Sequence, residues 1–248
     1  MSKKLIFVDV GTHEGQEYNA IFGHGTVTYF RRWLRHCRHE RRAGRNWPAF
    51  SGFKDFLGMV GRLQANRHSV AYVMVEPNAR LFALPVYRNA DLGCNIALAD
   101  EPDVLSVRPL YLAQSNPMGQ GSSLFTEKPN VEASQFDLVL SVDALHFAKQ
   151  LKAAVAKMYD ADDAPVILRL NNEGAEVDVI EAFYSVFGGR LQLVMGSLND
   201  VIKVKGQSAY DDLMQSLDRR GIRFLPFHQN YATWPAAAEA IAKVLDQR

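Results

Sequence analysis

Residues 5–15 have the sequence LIFVDVGTHEG, in which a run of apolar side chains is followed by a glycine turn. The continuous run from Leu5 to Val10 is typical of a β-strand covered on both faces. Gly11 stands where the chain must turn sharply and leave room for a ligand, and Gly15 lets the following helix pack closely. This pattern predicts a ligand-binding turn at the carboxyl edge of a parallel sheet.

Strand-length apolar runs, among them 136–142 and a run at 104–112 that suits a hairpin, alternate with amphipathic helical patterns along the remainder of the chain. The alternation predicts an α/β fold with a mostly parallel open sheet and helices on both faces. The 248 residues are 48% hydrophobic and 22% charged, which suits a single domain over residues 1–248. The first two predicted strands lie far apart, so residues 23–68 are expected to form a helical insertion, with one apolar helical stripe from Phe30 to Cys37.

Composition limits the classes of protein to consider. The formal net charge is +1, so no overall field indicates a polyanionic partner. The apolar run after Lys3 and Lys4 breaks at Asp9, too early for a signal peptide, and no stretch reaches the ~20 apolar residues of a membrane span. The two cysteines, Cys37 and Cys94, suit reduced thiols. A soluble cytoplasmic protein with no membrane partner is expected.

A second carboxylate ends the next predicted strand. Glu76 can accept hydrogen bonds from both hydroxyls of a ribose, and it follows Gly15 by 61 positions (76 − 15) rather than the ~20 of an ordinary dinucleotide unit. Asp9 would be costly to bury without a partner, and a ligand carrying amino or hydroxyl groups would supply one. The glycine patterns of nicotinamide-binding and P-loop proteins are absent from the sequence. Asp9 and Glu76 are therefore predicted to converge on one nucleoside-binding cavity.

The predicted insertion is strongly basic. It carries seven arginines between Arg31 and Arg45 but only one acid, Glu40. A solvated helix face explains such a cluster, and an anion-binding lid is the functional alternative, with Arg35 contacting phosphate or carboxylate on a substrate. A nucleic-acid surface ranks below both, because no aromatic side chains are interleaved at a stacking spacing.

Five short motifs occur in order along the chain. They are DVGTHEG at 9–15, EPN at 76–78, ALAD at 97–100, GSSL at 121–124 and RLNNEGAE at 169–176. In this order they resemble the S-adenosylmethionine-dependent methyltransferases of the FkbM-like family, over nearly the whole chain apart from about 23–68. The resemblance implies a Rossmann-like methyltransferase fold with a helix over 80–87 after E-P-N, S-adenosylmethionine as cofactor, and methylation of an oxygen on a sugar or a natural product. The expected acceptor is a sugar-like or other polar small molecule, with an anionic acceptor as an alternative.

The resemblance also implies roles for individual residues. Asp9, Gly11 and Gly15 would line the methionine end of the cofactor, Glu76 would hold the ribose, and Asp100 would lie near the adenine. The full set of implied cofactor-binding residues is Asp9, Gly11, Thr12, Gly15, Glu76, Pro77, Asn78 and Asp100. The candidate acceptor-binding residues are Ser122, Ser123, Arg169 and Glu176 from the motifs, together with Arg35 from the basic segment.

The last motif departs from the family pattern K-x-D-x-E-G-A-E at two positions. Arg169 replaces lysine, and Asn171 replaces an aspartate that could act as a base. Glu173 is the first candidate for a general base, although it could instead cap the following helix; His13 and His146 are the alternatives. No residues have metal-ligand spacing, so no metal is expected. Two other functions stay open: a cofactor-binding relative with impaired catalysis, and a methyltransferase acting on RNA or protein.

Overall fold

The structure, a computed structural model, describes residues 3–23, 38, 41–42, 50–114, 118–226 and 234–247. Within these ranges the strands form two sheets. They are β1 (Leu5–Val10), β2 (Val70–Val75), β3 (Leu92–Cys94), β4 (Ala97–Ala99), β5 (Leu105–Ala113), β6 (Val131–Asp143), β7 (Val166–Leu170), β8 (Leu191–Gly196) and β9 (Arg223–Pro226).

The helices connect these strands. They are α1 (Gln16–Ile21), α2 (Phe50–Ala65), α3 (Ala79–Phe82), α4 (Ala144–Tyr159), α5 (Glu176–Phe187), α6 (Asn199–Lys205), α7 (Gln207–Arg219) and α8 (Trp234–Asp246). Short 3₁₀ turns occur at Arg67–Ser69, Pro85–Asn89 and Gly188–Arg190. In the described ranges, no helix combines the length and the apolar character needed to cross a bilayer.

The main sheet has six strands in the order β3-β2-β1-β7-β8-β9, and every neighbouring pair is parallel. The α/β fold with a parallel sheet predicted from the sequence is confirmed. The strand order reverses direction at β1, because β2 lies on one side of it and β7 on the other. Ligands in open α/β sheets bind in the crevice outside the carboxyl ends of the strands at such a reversal.

Helices cover both faces of the main sheet, as the apolar strands required. Leu5 and Phe7 of β1 pack in one core with residues of α1, α2 and α8. Ile6 and Val8 point to the opposite face, where their core includes residues of α4, α5 and α7. Every residue of β1 is buried, because successive side chains of a strand alternate between two covered faces.

A second, three-stranded sheet has the order β4-β6-β5. The predicted strand at 104–112 is confirmed as half of a hairpin, in which β5 and β6 are antiparallel. β6 begins at Val131, earlier than the strand predicted at 136–142. The prediction missed 131–135 because Glu132, Ser134 and Gln135 are polar and interrupt any apolar run. The sequence did not predict β3, which has three residues, or α6.

Two other predictions have mixed outcomes. A continuous helix over 80–87 is wrong, because the chain forms α3 and then a 3₁₀ turn that begins at Pro85, which has no N–H to donate. Within the proposed insertion, α2 is helical as expected. The apolar stripe from Phe30 to Cys37 and the proposed contact residue Arg35 lie outside the described residues.

Candidate functional site

A cavity partly open to solvent lies beside the carboxyl ends of β1, β2 and β7, at the point where the strand order reverses. We call it the switch-point cavity. Residues from all five sequence motifs line it, and Ile96, Ala97, Leu98, Leu110 and Leu124 form an apolar wall. The predicted site residues that line it are Gly11, His13, Glu76, Pro77, Ser122, Asn171 and Glu173.

Glu76 is the carboxylate that the second strand brings to the cavity. It is 2% exposed, and its two oxygens accept hydrogen bonds from the backbone N–H groups of His13 and Asn78, both at 2.9 Å. Burial raises the pKa of Glu76 to about 7, against the lowering effect of those two N–H groups. Each carboxylate oxygen keeps a further lone pair, so Glu76 can still accept hydrogen bonds from a ligand in the cavity.

The two glycines of the first motif have different roles. Gly11 lines the cavity in a left-handed backbone conformation with φ of +70°, and a Cβ there would lie 2.0 Å from the backbone oxygen of Asn171. Gly15 also has positive φ, but its missing side chain makes room for Val86 rather than for the cavity. Thr12 is fully buried and donates from Oγ1 to the carbonyl of Asp9. Gly15 and Thr12 therefore shape the turn without lining the cavity.

Asp9 does not line the cavity, and its buried carboxylate has protein partners where the sequence predicted a ligand. Its Oδ1 lies 3.0 Å from Nη1 of Arg169, and its Oδ2 accepts a hydrogen bond of 3.0 Å from the hydroxyl of Tyr72. The same Arg169 nitrogen donates to the carbonyl of Gly11 at 2.6 Å. Because Asp9 and Arg169 are register partners on adjacent strands and both are buried, their charges compensate each other inside the protein. Arg169 is likewise absent from the lining.

His13, Asn171 and Glu173 come together at the cavity. His13 and Glu173 are both non-glycine residues with positive φ, at 54° and 62°, a conformation that costs energy and is found often at functional sites. His13 Nδ1 lies 3.3 Å from Nδ2 of Asn171, and His13 Nε2 lies 3.9 Å from Oε1 of Glu173. Burial, with the nearby cations Arg169 and Lys128, lowers the pKa of His13 to about 3, so the imidazole is neutral.

Lys128 is a site residue that the sequence did not predict. Its ammonium forms an ion pair with Oε2 of Glu173, donates to the carbonyl of Gly121 at 3.0 Å, and lies 3.8 Å from Oδ2 of Asp200. Burial lowers the pKa of Lys128 to about 8. Lys128 lies in the connection between β5 and β6, outside every sequence motif, so neither spacing nor a motif identifies it as a site residue. Helix capping does not explain Glu173, because α5 begins after it without a side-chain cap.

Asn172 is a second residue missed by the sequence analysis. It lines the cavity, and its side-chain Nδ2 and Oδ1 are both buried without a hydrogen-bond partner among the described residues. An amide has donors and an acceptor, and leaving them unsatisfied costs about 1–3 kcal/mol. The position therefore offers a donor and an acceptor to a bound polar ligand. The only indication of Asn172 in the sequence was that it follows Asn171 directly after a predicted strand.

Other predicted site residues lie outside the lining. Asn78 caps α3 by accepting from the backbone N–H of Arg80, and its amide donates to the carbonyl of Met118. The Ser123 hydroxyl donates to the carbonyl of Glu173 at 2.6 Å, which holds that residue in place. Glu176 is 1% exposed, and burial raises its pKa to about 7.

Two further predictions concern residues at the edge of the site. Asp100 is exposed after β4 and does not line the cavity, where Ala97 and Leu98 of that strand stand instead. Its role near the adenine therefore stays a prediction. His146 lies in the first turn of α4, where its backbone N–H donates to the capping carboxylate of Asp143, and it is also absent from the lining.

Comparison with protein-family models, curated proteins and solved structures finds no match to this chain. Function must therefore be argued from the site itself. Among the described residues, no three His, Cys, Asp or Glu side chains are grouped as metal ligands would be.

Proposed function

We propose that the protein is an S-adenosylmethionine-dependent methyltransferase with a Rossmann-like fold, related to the FkbM-like family. Its acceptor is proposed to be an oxygen of a sugar-like or other polar small molecule. One observation carries the proposal: the motifs around Gly11, Glu76 and Asn171 are distant in sequence but line one cavity at the reversal of strand order. Residues 1–248 are proposed to form one domain.

The cavity has groups that suit the cofactor. Glu76 would accept hydrogen bonds from the ribose hydroxyls, and the apolar wall that includes Leu98 and Leu110 would pack against the adenine. The unpaired amide of Asn172 would bind a polar group of the cofactor or the acceptor. Asp9 has no such role, since Arg169 already neutralises it. When bound, the cofactor supplies a methyl group activated by a sulfonium.

The chain's own contribution would be alignment and proton removal. Holding the acceptor hydroxyl in line with the methyl group could lower the barrier by roughly 7 kcal/mol or more. Glu173 would take the proton of that hydroxyl, a contribution of about 10²–10⁴-fold. Lys128 holds the Glu173 carboxylate through its ion pair, and the neutral His13 beside it adds no competing charge.

Binding of the cofactor is the direct test. Isothermal titration with S-adenosylmethionine and S-adenosylhomocysteine should give saturable binding to the wild type. Glu76→Gln should weaken it about 10–100-fold, because an amide replaces one of the acceptors offered to the ribose by a donor. Glu239→Gln, at an exposed carboxylate on α8, is the matched control and should bind like the wild type. Absence of binding to folded wild-type protein would defeat the proposal.

A second function is favoured by one residue of the site. Asn171 lines the cavity beside His13 and, being an amide, cannot act as a base. A protein that binds the cofactor without transferring methyl groups is therefore the alternative. It predicts cofactor binding without turnover across a broad panel of acceptors, with turnover appearing in Asn171→Asp. Turnover in the wild type would exclude it.

The third function, methylation of RNA or protein, depended on the arginine cluster. Of those seven arginines the structure describes Arg38, Arg41 and Arg42, and none of these three lines the switch-point cavity. The small-molecule acceptor is therefore the proposal to test first.

A further inference from the structure

One face of the β5–β6 hairpin is apolar and open to solvent. Residues that alternate along the two antiparallel strands share this face, and the register pairs them across the hairpin. Five of its side chains are exposed, most of all Leu138 at 68% and Val107 at 62%. We define the hairpin face as Leu105, Val107, Pro109, Tyr111, Phe136, Leu138 and Leu140; Val142, opposite Leu105, packs against the main core instead.

The hairpin face is unusual for an antiparallel sheet that has one covered side. Such strands normally alternate apolar residues toward the core with polar residues toward water. Here the covered side already has its apolar contacts, because Leu110 and Val139 pack with Leu124 and Ala175 beside the switch-point cavity. The outward apolar side chains are therefore not needed for the core of one chain.

The size of the hairpin face suits a protein interface. Its side chains present on the order of 600 Å² of apolar surface, at the upper end of the ~300–600 Å² of the largest patch on typical monomers. A standard interface buries about 800 Å² per partner, which this face and a narrow polar rim would supply. This area is enough for a dimer of modest affinity, whereas apolar residues scattered singly over the surface would bury too little.

The charges of the hairpin limit what can cover it. Along β5 and β6 the charged residues are Arg108, Glu132, Asp137 and Asp143, and none belongs to the hairpin face. A surplus of acids disfavours an anionic membrane or a nucleic acid. Pro109 lies in β5, the edge strand of this sheet, and removes an N–H donor, which disfavours strand addition at that edge. A partner is therefore expected to bind by packing its apolar side chains against the hairpin face.

We propose that the hairpin face packs against the same face of a second copy of this chain, forming a twofold symmetric dimer. Two copies bring apolar side chains together and keep the charged residues of the hairpin outside the contact, so no charge is buried without a partner. Each hairpin carries three acids against one arginine, so two copies repel each other electrostatically. Salt therefore strengthens the dimer, by screening that repulsion.

Sedimentation equilibrium of the full chain from 1 to 200 μM tests the dimer. The wild type should show a reversible doubling of mass, with a dissociation constant on the order of 10 μM that falls when NaCl is raised from about 0.05 to 0.5 M. Leu138→Lys should weaken association at least about 30-fold, because it places an unpaired charge at the centre of the interface. Met158→Lys, at an apolar residue 61% exposed on α4, should dimerise like the wild type.

The substitution at Leu138 is at an exposed position, so the variant should keep the circular dichroism spectrum of the wild type. Val107→Glu is a second variant on the opposite strand with the same expected loss of dimer. A wild type that stays monomeric at about 200 μM overturns the proposal, as does unchanged association in both hairpin variants. Flotation of monomeric wild type with neutral phosphatidylcholine vesicles would assign the face to a lipid surface and overturn it too.

Discussion

Replacing Asp9 by asparagine should destabilise the folded protein by about 3–5 kcal/mol. Asp9 has no exposed surface, and its Oδ1 lies 3.0 Å from Nη1 of Arg169, which is 3% exposed. Asparagine has nearly the same shape but no charge, so the Arg169 guanidinium would stay buried without its counter-charge. For a chain of this length, the loss corresponds to a decrease in Tm of roughly 6–20 °C.

Urea denaturation followed by circular dichroism measures the effect. The wild type, Asp9→Asn, Arg169→Met and the double variant form a double-mutant cycle. The double variant should lose less stability than the sum of the single variants, because it buries neither charge. Asp246→Asn is the control, since its ion pair with Arg62 is exposed and should contribute less than about 1 kcal/mol.

The cycle separates two roles for Asp9. If Asp9→Asn unfolds at the same urea concentration as the wild type but no longer binds the cofactor, Asp9 acts on the ligand and the ion-pair argument is refuted. If stability falls and the double variant recovers part of it, Asp9 is a structural residue beneath the switch-point cavity. The two outcomes exclude each other, so one set of samples decides between them.

Three further predictions concern residues around the cavity. Gly11→Ala puts a methyl group 2.0 Å from a backbone oxygen and should cost at least about 2 kcal/mol, whereas Gly58→Ala, in open space on α2, should be neutral or stabilising; equal urea midpoints would contradict this. Burial raises the pKa of Glu176 from 4.5 to about 7, so the folded wild type should lose on the order of 3 kcal/mol relative to Glu176→Gln as pH rises from 4.5 to 7; parallel pH profiles would refute it. Lys128→Met leaves the Glu173 carboxylate buried without its cation and should lower stability by about 3–5 kcal/mol at neutral pH, with partial recovery on adding Glu173→Gln; a single variant as stable as the wild type would disprove the pairing.

The positions of Gly11 and Glu76 could be predicted because each follows a buried strand directly. A continuous apolar run marks the strand, and the residue after its last position lies at the carboxyl edge of the sheet. The role of Asp9 could not be obtained in that way. Its partner Arg169 is 160 positions away, and only the pairing of β1 with β7 brings the two side chains together.

Lys128 and Asn172 are site residues that could not be predicted from the sequence. Neither belongs to a periodic pattern, and a lysine or an asparagine in a loop is usually solvated. Lys128 became a site residue only because its loop folds back over Glu173 and excludes water from the ion pair. The buried amide of Asn172 was likewise visible only once the surrounding side chains were in position.

Local patterns in the chain were enough to predict most strands and helices, the parallel sheet and the edge of the sheet at which the cavity lies. They succeed because burial on both faces of a sheet requires continuous apolar runs, and turns between strand and helix require glycine at positive φ. The tertiary structure alone determined which charges pair, which carboxylate reaches the cavity and which apolar face stays open. Those outcomes depend on strand order and register, which join residues far apart in the chain and leave no local trace.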